Sequence, residues 1–544
     1  MSTLPALGRQ AEPVGAAVSE AVRHVVIVGG GSAGWLTAAV LAAAHGPTTG
    51  RVVGGDVSKC ASLRVTLLES PDIGPIGVGE GTWPTMRDTL RGIGVSETEL
   101  FRECDAAFKQ GSRFNAWVDG SQTDHYHHPF VLPQGYTEAD LAAAWLQQHA
   151  EMPFADLVSF QPHLCAQGKA PKQIATPEFA AVANYGYHFD AGKFGLLLKR
   201  HCTERLGISH LLDPVVAINC HDNGDIASLQ TRNLGTVAGD LFVDCTGMRS
   251  LLLAQHYGIE LVTQRDVLFN DSALAIQVPY AREDSAIASQ TLATAQAHGW
   301  VWDIGLPTRR GVGHVYSSAH TSDDAAEAAL RRYVQSTGGP DDMASPRKLS
   351  FQPGYRKKFW HRNCVAIGLS AGFVEPLEAS ALALVELSAA MLSEEMPATR
   401  ASMDIVAARF NDTFSYRWER VIDFLKLHYA LTRRRDTAYW RDHAAAEHVP
   451  QRLRDLLTLW RHRPPSRRDF DRVEELFPSA SYQYVLYGMG FRPEPGAYAR
   501  HPNGTSLADG FFREAAALTR KMLPALPNNR DLIEHIRRHG MLRV

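Results

Sequence analysis

A glycine-rich turn near the amino terminus restricts the fold of this chain more than any other feature. Residues 29–34 have the pattern Gly-x-Gly-x-x-Gly and lie between an apolar run, His24–Val28, and a helical pattern of apolar residues, Ser32–His45. At such a junction the first glycine permits a tight turn, the second lets the backbone approach a pyrophosphate, and the third allows close helix–strand packing. The pattern predicts a bound dinucleotide, FAD or NAD; a turn that only saves space is the alternative. The candidate contact residues are Gly29, Gly31, Ser32, Ala33 and Gly34.

An acidic residue ends the next predicted strand, residues 63–69, and completes a βαβ unit. Glu69 could accept hydrogen bonds from the adenosine ribose, although a polar insertion at about residues 46–62 lengthens the usual spacing. Two further apolar strands end in glycine turns, and these turns contain Asp244 and Gly368 as additional candidate cofactor residues. Several such turns favour a flavin extended across a sheet over a nicotinamide on a single βαβ pair, although any α/β enzyme has glycine turns.

The composition is that of a folded, globular chain. Of 544 residues, 45% are hydrophobic and 21% charged, so the chain can bury a large core. The formal net charge is −3 without long runs of one sign, which gives no reason to expect a nucleic-acid or membrane partner. The 7 cysteines are scattered without a Cys-x-x-Cys pair, which is typical of a reducing cytoplasm and predicts no metal site.

The chain is expected to have one large body and a helical appendage. Residues 1–21 lack the apolar stretch of a signal peptide and are interpreted as a flexible tail. Residues 22–400 mix strands and helices and form the predicted cofactor and substrate module, whose cofactor-binding parts are discontinuous. Residues 401–544 have helical, arginine-rich patterns and form the predicted C-terminal lobe.

Several further motifs together resemble the flavin-dependent tryptophan halogenase family, in order, from about residue 23 to 440. They are residues 75–84, 108–109, 299–304, 315–318 and 373–380. In that family the Gly-Trp-x-Trp-x-Ile element, here residues 299–304, separates halogenases from monooxygenases of the same fold. The residue after Ile304 is Gly305 rather than the family's proline. The resemblance implies an α/β flavoprotein of the hydroxybenzoate-hydroxylase type, with a Rossmann-like FAD region, a mixed-sheet substrate region and Gly79 near the cofactor.

Lys109 falls on the family's catalytic lysine. In the resembling family, reduced FAD, oxygen and halide give hypohalous acid, which passes through a tunnel to a lysine beside the substrate. An ammonium group in an apolar pocket can donate a hydrogen bond to hypohalous acid, and its lowered pKa would also permit a haloamine. A lysine beside an aromatic residue is otherwise usually a surface cation.

Glu378 falls on the family's glutamate beside the substrate, where it would polarise the halogenating species and accept the ring proton. Glu375 could be the functional residue instead, or both carboxylates could only cap a helix. The family's halide site corresponds here to Ser380 and Ala381. Because this segment departs from the family's Ser-Thr-Gly, the expected reaction is bromination or chlorination, and a larger halide such as bromide is favoured.

Aromatic residues are expected to bind the substrate. The resemblance implies that His128 and Phe130 sandwich an indole ring, with Trp300 and Trp302 near them; singly, each would more often be core. Aromatic walls suit a flat, electron-rich ring. Residues 475–482 do not match the segment with which the family grips the tryptophan backbone. The predicted substrate is therefore an indole or tryptophan-like aromatic.

The expected partners are a small aromatic substrate and a separate flavin reductase that supplies FADH2, since no second nicotinamide fingerprint is present. Halide and O2 are the co-substrates, and a homodimer is compatible with the sequence. A flavin-dependent aromatic monooxygenase is the first rival, and the Trp300 and Trp302 element disfavours it. A flavin-binding protein without turnover is the second rival, and Lys109 with Glu378 disfavours it.

Overall fold

The computed structural model describes residues 21–46, 62–74, 79–494 and 504–543. Nearly all of the predicted N-terminal tail, Cys60 and the first four residues of the motif at 75–84 lie outside the described residues. Within the described ranges no helix is both long enough and apolar enough to cross a membrane.

The strands of the described residues form sheets of different character. In chain order they are β1 (His24–Val28), β2 (Arg64–Glu69), β3 (Gly79–Gly81), β4 (Ala107–Lys109), β5 (Gly111–Asn115), β6 (His125–Pro129), β7 (Gly186–Asp190), β8 (Ser209–Leu212), β9 (Val215–Cys220), β10 (Ile226–Thr231), β11 (Thr236–Ala238), β12 (Leu241–Asp244), β13 (Leu261–Thr263), β14 (Ser272–Pro279), β15 (Thr291–Gln296), β16 (Gly299–Gly305), β17 (Arg309–Tyr316), β18 (Arg347–Ser350), β19 (Gly354–Arg356), β20 (Trp360–His361), β21 (Cys364–Ala366) and β22 (Gly372–Phe373).

The helices lie between these strands and, after β22, follow one another to the end of the described chain. They are α1 (Ser32–His45), α2 (Met86–Ile93), α3 (Glu97–Glu103), α4 (Leu141–Gln148), α5 (Phe154–Val158), α6 (Gln161–Ala166), α7 (Ala191–Glu204), α8 (Asp323–Ser336), α9 (Ser380–Glu394), α10 (Arg400–Ala430), α11 (Ala438–Ala444), α12 (Gln451–Trp460), α13 (Ser479–Gly488), α14 (Gly504–Ala525) and α15 (Asn529–His539).

The sheet that contains the glycine turn has the order β20-β21-β12-β1-β2-β8, and only the β20–β21 pair is antiparallel. Every residue of β1 is buried, as expected for a parallel strand covered on both faces. Val28 lies in register with Leu68 and Asp244, so the glycine turn, Glu69 and the turn after β12 meet at one edge of the sheet. The prediction of a Rossmann-like α/β fold is confirmed.

A second sheet has the order β18-β14-β17-β16-β15-β5-β6, with β5 and β15 parallel and the other pairs antiparallel. It contains His128 on β6 and the two tryptophans of the motif on β16. A small antiparallel sheet, β3-β7-β4, places Gly79 on β3 and Lys109 on β4, on opposite sides of β7. The predicted mixed-sheet region is confirmed.

The helices of the described residues from 400 onward, α10 to α15, agree with the predicted helical C-terminal lobe. Helix α10 has 31 residues, and it begins at Arg400, where the sequence suggested a boundary between the main module and the C-terminal lobe. Its last turns are buried and contact residues of both predicted domains. The division at residue 400 therefore stays a prediction, and the helical lobe contributes directly to the site.

The glycine turn is packed tightly against the neighbouring strand ends. Gly29 has a φ of +119°, and a Cβ atom there would lie 2.2 Å from the carbonyl oxygen of Cys245. A Cβ atom at Gly34 would lie 1.9 Å from the carbonyl oxygen of Gly29. Gly31 differs, because its φ is −77° and nothing lies within 4 Å of the position of a Cβ atom. Gly34, the third glycine of the motif, thus allows α1 to pack closely on β1, whereas Gly31, the second, faces open space.

Replacing Gly34 with alanine is expected to lower the free energy of unfolding by about 1–3 kcal/mol, because α1 must move off the turn to accommodate a methyl group. Gly31→Ala is the matched control and should cost less than about 1 kcal/mol, the difference between glycine and alanine at a helix N-cap. Thermal unfolding of both variants without added cofactor measures the difference. Equal midpoints for the two variants would contradict the close packing at Gly34.

Candidate active site

The edge of the parallel sheet offers space and partners for a dinucleotide. Helix α1 begins at Ser32 and Ala33, directly after the open position at Gly31, so its N-terminal backbone N–H groups are available to an anion. Glu69 lies beside Gly30, and its Oε2 accepts from His210 Nε2 at 2.8 Å. A pyrophosphate at the helix N-terminus and a ribose hydroxyl near the Glu69 carboxylate fit this arrangement.

Of the other predicted cofactor residues, Gly368 and Asp244 lie at the same edge, whereas Gly79 adjoins the second sheet. Gly368 has a φ of +77°, and a Cβ atom there would lie 2.7 Å from that of Ala33. A Cβ atom at Gly79 would lie 2.6 Å from Ile304 Cδ1, so β3 adjoins the tryptophan motif on β16. Asp244 is fully buried, and its carboxylate accepts the backbone N–H groups of the turn that follows β12. Asp244 thus orders this turn, and its contact with the cofactor stays a prediction.

Lys109 is not a surface cation, since its exposed fraction is only 1%. Its Nζ lies 5.4 Å from the centroid of the Phe130 ring and 3.3 Å from the position of a Cβ atom at Gly81. Burial lowers the pKa of Lys109 to about 8, against the opposing charge of Glu378. At neutral pH an ammonium group is therefore held in an almost anhydrous, partly aromatic environment, where it is a strong hydrogen-bond donor.

Glu378 is buried close to two histidines. Its Oε1 accepts from His128 Nδ1 at 2.8 Å, and His428 Nε2 lies 3.3 Å from the same oxygen. Burial alone would raise the pKa of Glu378, but His128 and His428 outweigh it and hold this pKa well below its ordinary value. Sequence reasoning missed His428, because a histidine inside a long helix with apolar neighbours has no distinguishing pattern.

The backbone at Glu378 is strained. Glu378 and Ala379 have φ values of 62° and 55°, a conformation that non-glycine residues seldom adopt. Trp83 Nε1 donates to the carbonyl oxygen of Glu378 at 2.7 Å and helps to hold it there. Helix α9 begins immediately afterwards, at Ser380 and Ala381, without a side-chain cap. Its N-terminal N–H groups are consequently available to a small anion.

Glu375 has a different role from Glu378. It is fully buried, and its Oε2 accepts from Trp300 Nε1 at 2.6 Å, from the Tyr429 hydroxyl at 2.6 Å and from Asn270 Nδ2 at 2.7 Å. Burial raises its pKa, and these donors partly offset the effect. Glu375 therefore orients Trp300 and, as far as its contacts show, does not take the place of Glu378.

The four predicted substrate residues do not form one cluster. Trp300 and Trp302 lie 6.5 Å apart on one face of β16, and the Trp302 ring covers Gly313 of β17. Among the described residues no ring contact joins either tryptophan to His128 or Phe130. The structure thus brings His128 to Glu378 and Phe130 to Lys109, whereas Trp300 contacts Trp117 and Trp302. The stacking of Trp300 and Trp302 on a substrate stays a prediction.

The C-terminal helical region supplies aromatic residues that sequence reasoning missed. Phe424 of α10 lies 5.6 Å from the His128 ring and stacks on Phe477 at 3.8 Å. Tyr484 of α13 lies 6.3 Å from the His128 ring. Only their apolar helical spacing was visible in the sequence, and that spacing is equally typical of core residues. Glu475, in the segment that does not match the family, accepts from the Tyr416 hydroxyl.

Among the described residues there is no group of three or more histidine, cysteine, aspartate or glutamate side chains that could hold a metal ion. The site offers a buried ammonium group, an ionised carboxylate and aromatic rings. Together they suit an electrophilic reaction on a flat ring.

Comparison with known proteins gives a consistent result. A family model described as tryptophan halogenase matches residues 24–502. The tryptophan 6-halogenase of Streptomyces toxytricini is 32% identical over 526 residues, which is 92% of this chain and 96% of that protein. The crystal structure of a tryptophan halogenase from Shewanella frigidimarina has a TM-score of 0.91 and 47% identity, and covers 96% of this chain and 99% of its own. A flavin-dependent halogenase from Xanthomonas campestris has a TM-score of 0.82 and 32% identity over 96% and 100% of the two chains.

The Glu375 network leads to a stability prediction. Glu375→Ala is expected to lower the free energy of unfolding by about 3–5 kcal/mol, because three buried donors lose their shared acceptor. Glu375→Gln retains one acceptor oxygen and should cost clearly less. Denaturant titration followed by tryptophan fluorescence measures both values. Identical losses for the two variants would show that the carboxylate oxygen is not the shared acceptor.

Proposed function

The chain belongs to the tryptophan halogenase family, and on that premise we propose that it halogenates an indole or tryptophan-like ring through hypohalous acid relayed to Lys109. The solved relatives named above include a flavin-dependent halogenase, and the chain is an enzyme of this kind. The observation that supports the relay is the burial of the Lys109 ammonium beside Phe130, with the ionised Glu378 as its counter-charge. Because burying a cation costs free energy, we interpret the burial of this ammonium group as a requirement of the reaction.

The cofactor of the proposed reaction is FAD, held by the glycine turn, Glu69 and the turn that contains Gly368. When bound in its reduced form, it would supply two of the four electrons that reduce O2, and the halide would supply the other two as it is oxidised to hypohalous acid. A separate flavin reductase is proposed to deliver it. The halide is proposed to bind at the uncapped N-terminus of α9, at Ser380 and Ala381. Bromide is the proposed preference.

Lys109 and Glu378 divide the proton chemistry between them. The ring carbon attacks the halogen of hypohalous acid, the O–X bond breaks, and the departing hydroxide takes a proton from the Lys109 ammonium to form water. The C–H electron pair returns to the ring as the proton bonds to the Glu378 carboxylate. Burial favours both transfers, because the charges act in a medium of low effective dielectric constant.

His128, Phe130 and Phe424 are proposed to contact the substrate ring. His128 lies against Glu378 and Phe424, and Phe130 lies against Lys109, so these rings would hold a flat ring in one orientation, which sets the carbon that is attacked. The relative from Streptomyces toxytricini is named for the 6-position of tryptophan. In the segment that does not match the family, Glu475 already accepts a hydrogen bond from Tyr416. We therefore propose indole as the substrate, because it has no amino-acid backbone for this segment to bind.

The deciding experiment is mass spectrometry of indole and tryptophan after incubation with the enzyme, FAD, a flavin reductase, NADH and bromide or chloride. Wild-type enzyme should give a product with the halogen isotope pattern. Lys109→Met, which removes the charge and keeps the chain length, should lower the rate at least about 100-fold while FAD binding is unchanged. Hydroxylated product would favour the monooxygenase instead. Halogenation unaffected by Lys109→Met would contradict the relay.

The rate should also depend on the ionisation of Lys109. Because burial lowers the pKa of Lys109 to about 8, the ammonium form is present below this pH and is lost as the pH rises through it. Halogenation is therefore expected to fall on the alkaline side with a midpoint near the pKa of the lysine. His188, also near Lys109, has a pKa well below 6.5 because of burial and the lysine charge, so it adds no charge. A rate that stays constant to pH 10 in a suitable buffer would be incompatible with the ammonium as donor.

A further inference from the structure

We propose that His428 and Tyr126 form a positioning pair for Glu378, which fixes Oε1 of the carboxylate and leaves Oε2 to accept the ring proton. This inference rests on the proposed function, because it assigns the base of the halogenation step its supporting residues. Neither residue was predicted from the sequence as a site residue. Tyr126 lies on β6, two residues before His128, and His428 lies near the end of α10.

The first step of the argument is the contact between the two residues. Nδ1 of His428 lies 2.6 Å from the Tyr126 hydroxyl, and both side chains are buried. Burial raises the pKa of Tyr126 well above 10, so its hydroxyl keeps its proton. Because burial also lowers the pKa of His428, the imidazole is neutral and has one N–H group. The tyrosine then donates to Nδ1, and the imidazole proton is on Nε2.

The second step is the direction of that N–H group. Nε2 of His428 lies 3.3 Å from Glu378 Oε1, although it is not aligned for a good hydrogen bond, and it has no other hydrogen-bond partner among the described residues. A buried N–H group without a partner is costly, and hydrogen bonds at a catalytic site often tighten only when the substrate binds. The Glu378 carboxylate is thus the acceptor within reach of the His428 N–H, and a small movement on substrate binding would align the two.

The surroundings of His428 make this arrangement rigid. Its ring lies 4.6 Å from the Phe114 ring and 6.0 Å from that of Trp117, while Phe114 and Tyr126 stack at 4.7 Å. With aromatic rings on these sides, the imidazole has little freedom to rotate. The tautomer that Tyr126 selects therefore also determines that Glu378 faces the N–H group of the imidazole and not its unprotonated nitrogen.

The third step is the charge of Glu378. The charged and titratable groups that face it are His128 on β6, His428 on α10 and Lys109 on β4. His128 and His428 both approach Oε1, and Oε2 accepts no hydrogen bond from a described residue. The hydrogen bond from His128 and the nearby His428 N–H hold the carboxylate ionised, while Oε2 stays free of donors among the described residues. A general base requires both properties.

The test compares two substitutions of His428 in the full enzyme, with wild type alongside. His428→Leu removes the donor and should lower kcat about 10- to 100-fold, the cost of a hydrogen bond to a charged group, with KM nearly unchanged. His428→Gln places an amide N–H near the position of Nε2 and should recover most of this loss. Tyr126→Phe, which keeps the stacked ring, should give an intermediate kcat. It also serves as the test variant if His428→Leu fails to fold or to bind FAD.

Two further measurements separate positioning from a merely structural role. With indole deuterated at the halogenated carbon, wild type and His428→Gln should show no isotope effect, whereas His428→Leu should show one because proton removal becomes slow. The acid limb of the pH–rate profile should also move to higher pH in His428→Leu, since a carboxylate that loses a donor has a raised pKa. Equal rates for the leucine and glutamine variants, or no isotope effect in the leucine variant, would overturn the proposal. If wild type itself yields no halogenated product, the proposed function fails and this inference with it.

Discussion

The ionised carboxylate of Glu378 is the interaction on which the rest of the site depends. A buried charge is tolerated only where opposite charges and hydrogen-bond donors compensate for the loss of water. Here the compensation comes from His128 on a strand of the mixed sheet, from His428 on the longest helix and from the Lys109 ammonium on the small sheet. Three separate parts of the fold must therefore pack correctly before this one carboxylate can stay charged.

The same segment contains a second carboxylate with the opposite behaviour. Glu375 has a raised pKa and gives one oxygen to Trp300, Tyr429 and Asn270. Adjacent residues of α10, His428 and Tyr429, thus contact the two glutamates of this segment. Because the turn between the glutamates and α9 is strained at Glu378, these contacts also hold the backbone in a conformation that it would not otherwise keep. The same contacts thus stabilise both the strained backbone and the ionised form of Glu378.

Much of the fold and part of the site could be predicted from local pattern. The boundaries of α1 were predicted as the structure has them, and β1, β2, β12 and the helical region after residue 400 were also found. Lys109 and Glu378 were identified through motifs, and the structure places both in one buried site. The role of Asp244 could not be foreseen, because a carboxylate at a strand end has the same sequence pattern whether it meets a ligand or the next turn.

The sequence by itself determined the glycine turn and singled out the two residues proposed for the chemistry, because a tight turn and a motif depend on neighbours in the chain. Only the tertiary structure decided what surrounds them. Tyr126 and His428 are 302 residues apart, and His128 and Glu378 are 250 apart. Their contacts depend on how α10 packs and rotates against β6. Helical spacing specifies which face of a helix is buried, but not which strand it meets.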